Sequence, residues 1–265
     1  MHCPFTVDAN TWQEWSIPHE DVFPDYEQHV CCGCISGCTP VAWAQIFAYY
    51  DRLAHFSFTS YGHNKGLFRC GGTRSGSSYC VAPDEMDSSV ETFVEDIRET
   101  LGTYCDNGAG STYTTNNIRI NAWYRSRQGY SATVEHYPSW MRRGKRSSTV
   151  GSVTVYSYES EARNKAIEAL KGNPAYPVRV TIDVASNGGK KGGHSAVVTK
   201  YREKWRKYRK RHCRKVGWWW GRRTRCEDIW STQYDRKFYF RMGWDGYGKA
   251  WHTALAETAS IAKPY

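Results

Sequence analysis

Cys34-Ile35-Ser36-Gly37-Cys38-Thr39-Pro40-Val41-Ala42-Trp43-Ala44-Gln45-Ile46-Phe47-Ala48-Tyr49-Tyr50-Asp51-Arg52 decides how this chain reads. It opens as a Ser/Gly loop, and Pro40 supplies the fixed φ that suits a first helical position. From Val41 to Tyr49 apolar side chains fall on nearly every face, which predicts a buried core helix over 39–54. At about 14 residues that helix is too short to cross a bilayer, which needs ~20. Cys38 therefore sits where a loop feeds the N-terminus of a central helix. The peptide dipoles and unpaired N–H groups there favour the thiolate, the nucleophilic form of cysteine, and can hold an oxyanion. The same position suits a disulfide cysteine equally well.

The chain has 265 residues, enough for one large domain or two lobes with a sizeable core. Its 40% hydrophobic content, with 12 Trp and 19 Tyr, argues for a folded globule. No apolar run reaches the length of a membrane span. Met1-His2-Cys3-Pro4-Phe5 lacks a charged head followed by an apolar run, so the expectation is a chain without its signal or pro-segment. Ten scattered cysteines suit disulfides in an oxidising compartment, hence a secreted protein. Cys70 with Cys80 and Cys213 with Cys226 each bracket a local loop and are the first expected pairs. Connectivity among Cys3, Cys31, Cys32, Cys34 and Cys105 stays open. Cys31-Cys32-Gly33-Cys34 lacks the paired C-x-x-C spacing of a zinc site, so no metal and no other cofactor is expected.

The formal charge of +10 is local. Residues 200–237 hold 15 Lys/Arg against four acids, and the rest of the chain sums to nearly zero. Trp205, Tyr208, Trp218-Trp219-Trp220 and Trp230 interleave with these cations. Such a mixture can grip phosphates, sulfates or stacked bases. It also suits a long β-hairpin stapled by Cys213 and Cys226, one face aromatic and the other cationic. No nucleic-acid-binding motif is present.

Along the chain, residues 1–30 read as an extended aromatic arm and 55–86 as a glycine-rich loop region. Residues 87–101 predict an amphipathic helix through Val90, Phe93, Val94, Ile97 and Leu101. A short helix is expected over 116–126, strands over 130–137 and 148–158, and a helix over 160–171 stopped by Gly172 and Pro174. Strands then take over at 177–184, 194–201 and 237–242, followed by the turn Gly243-Trp244-Asp245-Gly246 and a short aromatic tail. Helices first and strands last point to an α+β fold. Of nine histidines, His194 stands out: Gly192-Gly193 precede it and the apolar strand Ser195–Val198 follows. A base held on a strand and a thiol held at a helix end suit Cys–His nucleophilic catalysis. His55, His63 and His136 lack such a setting.

At these residues the chain resembles the streptopain-like cysteine peptidases of the papain-like superfamily. Gly37-Cys38, followed by Ala42 and Ala44-Gln45-Ile46, is similar to their nucleophile segment. Gly193-His194-Ser195-Ala196-Val197-Val198 resembles their histidine strand, and Phe238 to Gly246 their closing strand and glycine turn. The resemblance implies a single papain-like catalytic domain over 1–265. A mainly helical lobe would cover about 1–175 with Cys38, and a β lobe 176–265 with His194 and the basic hairpin 200–237. It implies Cys38 as nucleophile, His194 as its base, Trp244 as a shield for the pair and Gln28 as an oxyanion donor. Papain-like enzymes carry an Asn two residues before the Trp to orient the His. Met242 stands there, a side chain expected to make no useful hydrogen bond, so a Cys–His dyad is implied with Asp245 as a candidate orienter. Arg241 beside it would disfavour an imidazolium.

The expected activity is that of a secreted cysteine endopeptidase acting on a protein or peptide substrate; acyl transfer to an amine would use the same pair. The alternative is a non-catalytic papain-like scaffold. It would bind a polyanionic surface such as a glycosaminoglycan, nucleic acid or mineral through the basic segment, with Arg206, Arg209, Arg211, Arg222 and Arg223 as candidate contacts.

Overall fold

A computed structural model describes residues 6–31, 33–55, 70–74, 77–80, 88–128, 133–137, 143–150, 153–159, 161–185, 191–217, 221, 223–244, 249–253 and 258–263. In chain order, β1 spans Thr6–Ser16, β2 Val30–Cys31, β3 Cys34–Ile35 and α1 Cys38–His55. The hairpin of β4 (Cys70–Arg74) and β5 (Ser77–Cys80) follows, then α2 (Ser88–Thr100) and the hairpin of β6 (Tyr104–Asp106) and β7 (Ala109–Ser111). Next come α3 (Arg119–Gln128), β8 (Thr133–Tyr137), β9 (Arg143–Val150), β10 (Val153–Glu159) and α4 (Glu161–Lys171). The last part is all strand: β11 (Val178–Ala185), β12 (Lys191–Val216), β13 (Arg223–Arg241), β14 (Ala250–His252) and β15 (Thr258–Lys263). Helices combined with antiparallel sheet make the fold α+β.

The chain divides into two compact units, Met1–Glu14 with Arg202–Lys237, and Trp15–Tyr201 with Phe238–Tyr265. In the larger unit α1 is the core. Val41, Ala44, Trp43, Ile46, Phe47, Ala48 and Leu53 are almost inaccessible, as all-round apolarity requires. At ~1.5–3 kcal/mol for each large side chain taken from water, this helix carries a large share of the burial energy. Three of its buried side-chain donors are matched: Trp43 Nε1 donates to Asn117 Oδ1, Gln45 Nε2 to the Tyr26 carbonyl and Tyr50 Oη to that of Ala262. α2 buries Val90, Phe93, Val94 and Ile97, the stripe its period predicts.

β11 lies inside the sheet. It pairs antiparallel with β12 on one edge, and with β15 and then β10 on the other. β15 continues to β8, and β10 to β9. The expected strand over 148–158 is instead a hairpin: β9 ends at Val150 and β10 begins at Val153, so the alternation of Val150 and Val153 belongs to two strands. The tail also forms strands β14 and β15, because β11 and β13 offer edges that need partners. Cys70 and Cys80 are register partners in the β4–β5 hairpin.

In the smaller unit β12 and β13 are neighbours in the sheet. Glu203–Arg236, Lys204–Asp235, Arg206–Gln233 and Arg209–Asp228 step in opposite directions along the two strands, the pattern of an antiparallel hairpin. Cys213–Cys226 staples it as expected. Trp12 of β1 lies beneath Arg202, Lys204 and Lys237, stacked against their cationic heads.

Candidate active site

Cys38 is the first residue of α1, and the turn before it permits only glycine. Gly37 has φ +96°, and a Cβ there would lie 2.8 Å from the Gly110 carbonyl oxygen. That carbonyl belongs to the β6–β7 hairpin, which the Cys34–Cys105 disulfide ties to β3. This pairing was open in the sequence because 71 residues separate the two cysteines. Cys38 itself is not disulfide-bonded.

The buried His194 on β12 hydrogen-bonds the Cys38 sulfur, and the Ser195 N–H donates to that sulfur at 3.2 Å. His194 Nε2 lies 2.7 Å from the Met242 carbonyl oxygen. A carbonyl only accepts, so Nε2 carries the proton and Nδ1 is the nitrogen turned to sulfur. The expectation for this position concerned side chains alone; here the main chain of Met242 orients the imidazole. Asp245, the other candidate orienter, lies outside the described residues. Trp244 packs on the imidazole, with ring centroids 4.4 Å apart. Gln28 is held by its backbone, whose N–H donates to the Gly243 carbonyl at 3.3 Å, beside Trp244.

Arg241, the cation two residues before Gly243, is engaged by carboxylates. Its guanidinium bonds Glu20 at 2.6 Å, lies 4.0 Å from Asp25 and packs over the Phe23 ring. Its charge is thereby matched.

One group was missed in the sequence. Arg179 of β11 is 1% exposed and donates to Ser195 Oγ, which is 2.7 Å from Thr39 Oγ1. The register puts Arg179 opposite Ser260, and Ser260 opposite His136, whose Nδ1 meets Ser260 Oγ at 2.9 Å. A polar row, half-buried at His136 and buried from Ser260 onward, thus runs through Arg179 to the residue after the thiol. Arg179 alternates with apolar residues of β11 just as Thr181 and Asp183 do, so nothing in the sequence set it apart. Burial pulls the Arg179 guanidinium down to about 10, against the raising effect of the nearby thiolate, so it stays charged at neutral pH.

Burial alone would push the Cys38 thiol up. The His194 charge and hydrogen bond, the Ser195 N–H and the Arg179 charge outweigh it and bring the thiol down to about 6. The arrangement can therefore supply a thiolate at neutral pH, with an imidazole beside it to move a proton.

No family model, curated protein or solved structure matches the chain.

Arg206, Arg209, Arg211 and Arg223 are exposed on the smaller unit's hairpin; Arg222 lies outside the described residues. Arg206 is held by Gln233 and Arg209 by Asp228 at 2.7 Å. No helix among the described residues is long and apolar enough to cross a membrane.

Proposed function

We propose that the chain is a secreted cysteine peptidase with a papain-like, streptopain-like architecture, acting through Cys38 and His194. The observation that carries this reading is the unbridged, acid-shifted Cys38 thiol hydrogen-bonded to a histidine whose far nitrogen is fixed by a main-chain carbonyl. The Cys38 thiolate attacks the scissile carbonyl. The oxyanion that forms is held by N–H groups at the start of α1, with the Gln28 side chain as the second donor. His194 Nδ1, having taken the proton of the Cys38 thiol, passes it to the leaving amine as the C–N bond breaks and the tetrahedral intermediate collapses to the thioester. A water deprotonated by the same nitrogen then hydrolyses the thioester and restores the thiol. Trp244 over the imidazole limits water access to the pair.

The test is labelling by a thiol-alkylating peptide analogue, with the adduct located by mass spectrometry. Stoichiometric modification of Cys38 in the folded protein, lost in Cys38→Ala and slowed at least about 100-fold in His194→Ala, is expected. A folded protein whose Cys38 reacts no faster than a free thiol sinks the proposal.

The second reading, a papain-like scaffold that holds polyanions or a mineral or matrix surface, is favoured by one observation. Residues 202–237 contain fourteen Lys/Arg against four acids, as much positive charge as the entire chain carries net. All four acids sit in cross-strand pairs with Arg236, Lys204, Arg214 and Arg209. Cations therefore outnumber acids by ten in the segment.

A further inference from the structure

The hairpin that precedes the thiol carries a second cluster of donor atoms. β2 and β3 pair through Val30–Ile35 and Cys31–Cys34. The ladder is extended by the Ser36 N–H donating to the His29 carbonyl at 2.8 Å and the His29 N–H donating to Ser36 Oγ at 3.2 Å. His29 and Cys31 are two positions apart on this extended segment, so their side chains leave the same face. Glu95 of α2 meets them there. One donor atom each from His29, Cys31 and Glu95 lies within 4.8 Å of the others, and His29 Nε2 is 3.7 Å from Glu95 Oε1. Ligands around a tetrahedral zinc stand about 3.3–3.6 Å apart, from its bond lengths.

The histidine supplies the independent observation. Both His29 ring nitrogens are buried, and neither has a hydrogen-bond partner among the described residues. His194 and His136, by contrast, each have a partner for a ring nitrogen. Buried ring nitrogens without hydrogen bonds, beside a thiol and a carboxylate, are costly unless something occupies the space they share.

We propose that His29, Cys31 and Glu95 bind one divalent transition-metal ion of the zinc class. Thiolate with imidazole selects zinc over magnesium or calcium, and one thiolate plus one carboxylate neutralises the ion. Binding deprotonates the Cys31 thiol and releases that proton to solvent. Three protein ligands leave the fourth position to water. The ion would clamp the hairpin that leads into Gly37-Cys38 onto α2. The site does not depend on the peptidase reading.

The test uses the full chain carrying Cys38→Ala, so that the other thiol–imidazole pair contributes nothing. The protein is stripped with chelator and titrated with Co2+. One equivalent should bind with a near-ultraviolet sulfur-to-metal band, and Zn2+ should displace it. Cys31→Ser should abolish the band. Glu95→Gln, a change on an accessible helix face, should weaken binding by more than about tenfold with unchanged far-ultraviolet circular dichroism. His212→Ala, on the hairpin of the smaller unit, should change nothing. Absence of the band, its survival in Cys31→Ser, or equal affinity in Glu95→Gln overturns the proposal.

Discussion

The chemistry of Cys38 depends on three groups whose effects can be separated one substitution at a time. With its thiol brought down to about 6, the rate of alkylation by iodoacetamide should rise with pH and reach half its maximum near pH 6. Arg179→Met removes a cation that favours the thiolate, so that midpoint should move upward. A midpoint unmoved by the change would mean that the guanidinium does not act on the sulfur. Met242 offers a sharper contrast, since its contribution to His194 comes from the main chain. Met242→Ala should cost about 2–3 kcal/mol of stability in urea titration, because the side chain is buried. The alkylation rate of the folded fraction should stay within a few-fold. Gly37→Ala is the reverse case. A positive φ and a carbonyl 2.8 Å from the new Cβ leave no room, so the start of α1 must shift.

Between elements, buried charge does the tying. Glu20 follows β1 in a short 3-10 turn and reaches two strands of the larger unit. It accepts from Arg241 at 2.6 Å and Lys200 at 2.8 Å, and from Thr199 Oγ1 at 3.0 Å. Burial would raise its carboxyl, but Lys200 and Arg241 hold it below the usual range. A lowered folded value means that the stabilisation is whole above the ordinary carboxylate range and is lost as pH falls through the folded value. Glu20→Gln should cost about 2 kcal/mol at neutral pH, below the range for full burial because Lys200 keeps access to water. It should also flatten the acid limb of the stability–pH curve; an unchanged limb would show that Glu20 does not govern it. The row from His136 to Arg179 is tied in the same way. Burial and the Arg179 charge hold His136 below its ordinary value, so Arg179→Met should raise the His136 titration midpoint seen by NMR.

At the scale of the molecule, charge and apolar content are distributed unevenly. The large apolar cluster that includes α1 belongs to the unit Trp15–Tyr201 with Phe238–Tyr265. The hairpin of the smaller unit exposes Ile229, Trp230 and Tyr234 among its cations. If that hairpin holds polyanions, heparin affinity should fall steeply and log-linearly with salt. Replacing Arg206, Arg209 and Arg211 together by Gln should lower the slope by up to about three. A salt-independent or absent interaction would remove the second reading and leave Cys38 alkylation untouched.

Much of this was legible from the chain alone. All-round apolarity announced α1, the 3.6 period announced α2, and a 13-residue cysteine separation announced the hairpin staple. Those signals are local, and burial or loop closure turns them directly into structure. The neighbourhood of Cys38 and His194 was likewise suggested by the residues around each. What only the tertiary structure decided depends on register and on distant contacts. The orienting group is a backbone carbonyl, which every residue possesses and no sequence advertises. Arg179 reaches the site because β11 pairs with β12 in one register, and a slip of one residue would turn it to the other face. Cys34 finds Cys105, and His29 and Cys31 find Glu95, because packing brings α2 and the β6–β7 hairpin to the segment before α1. Periodicity records which face a residue takes, but not which remote residue it will meet there.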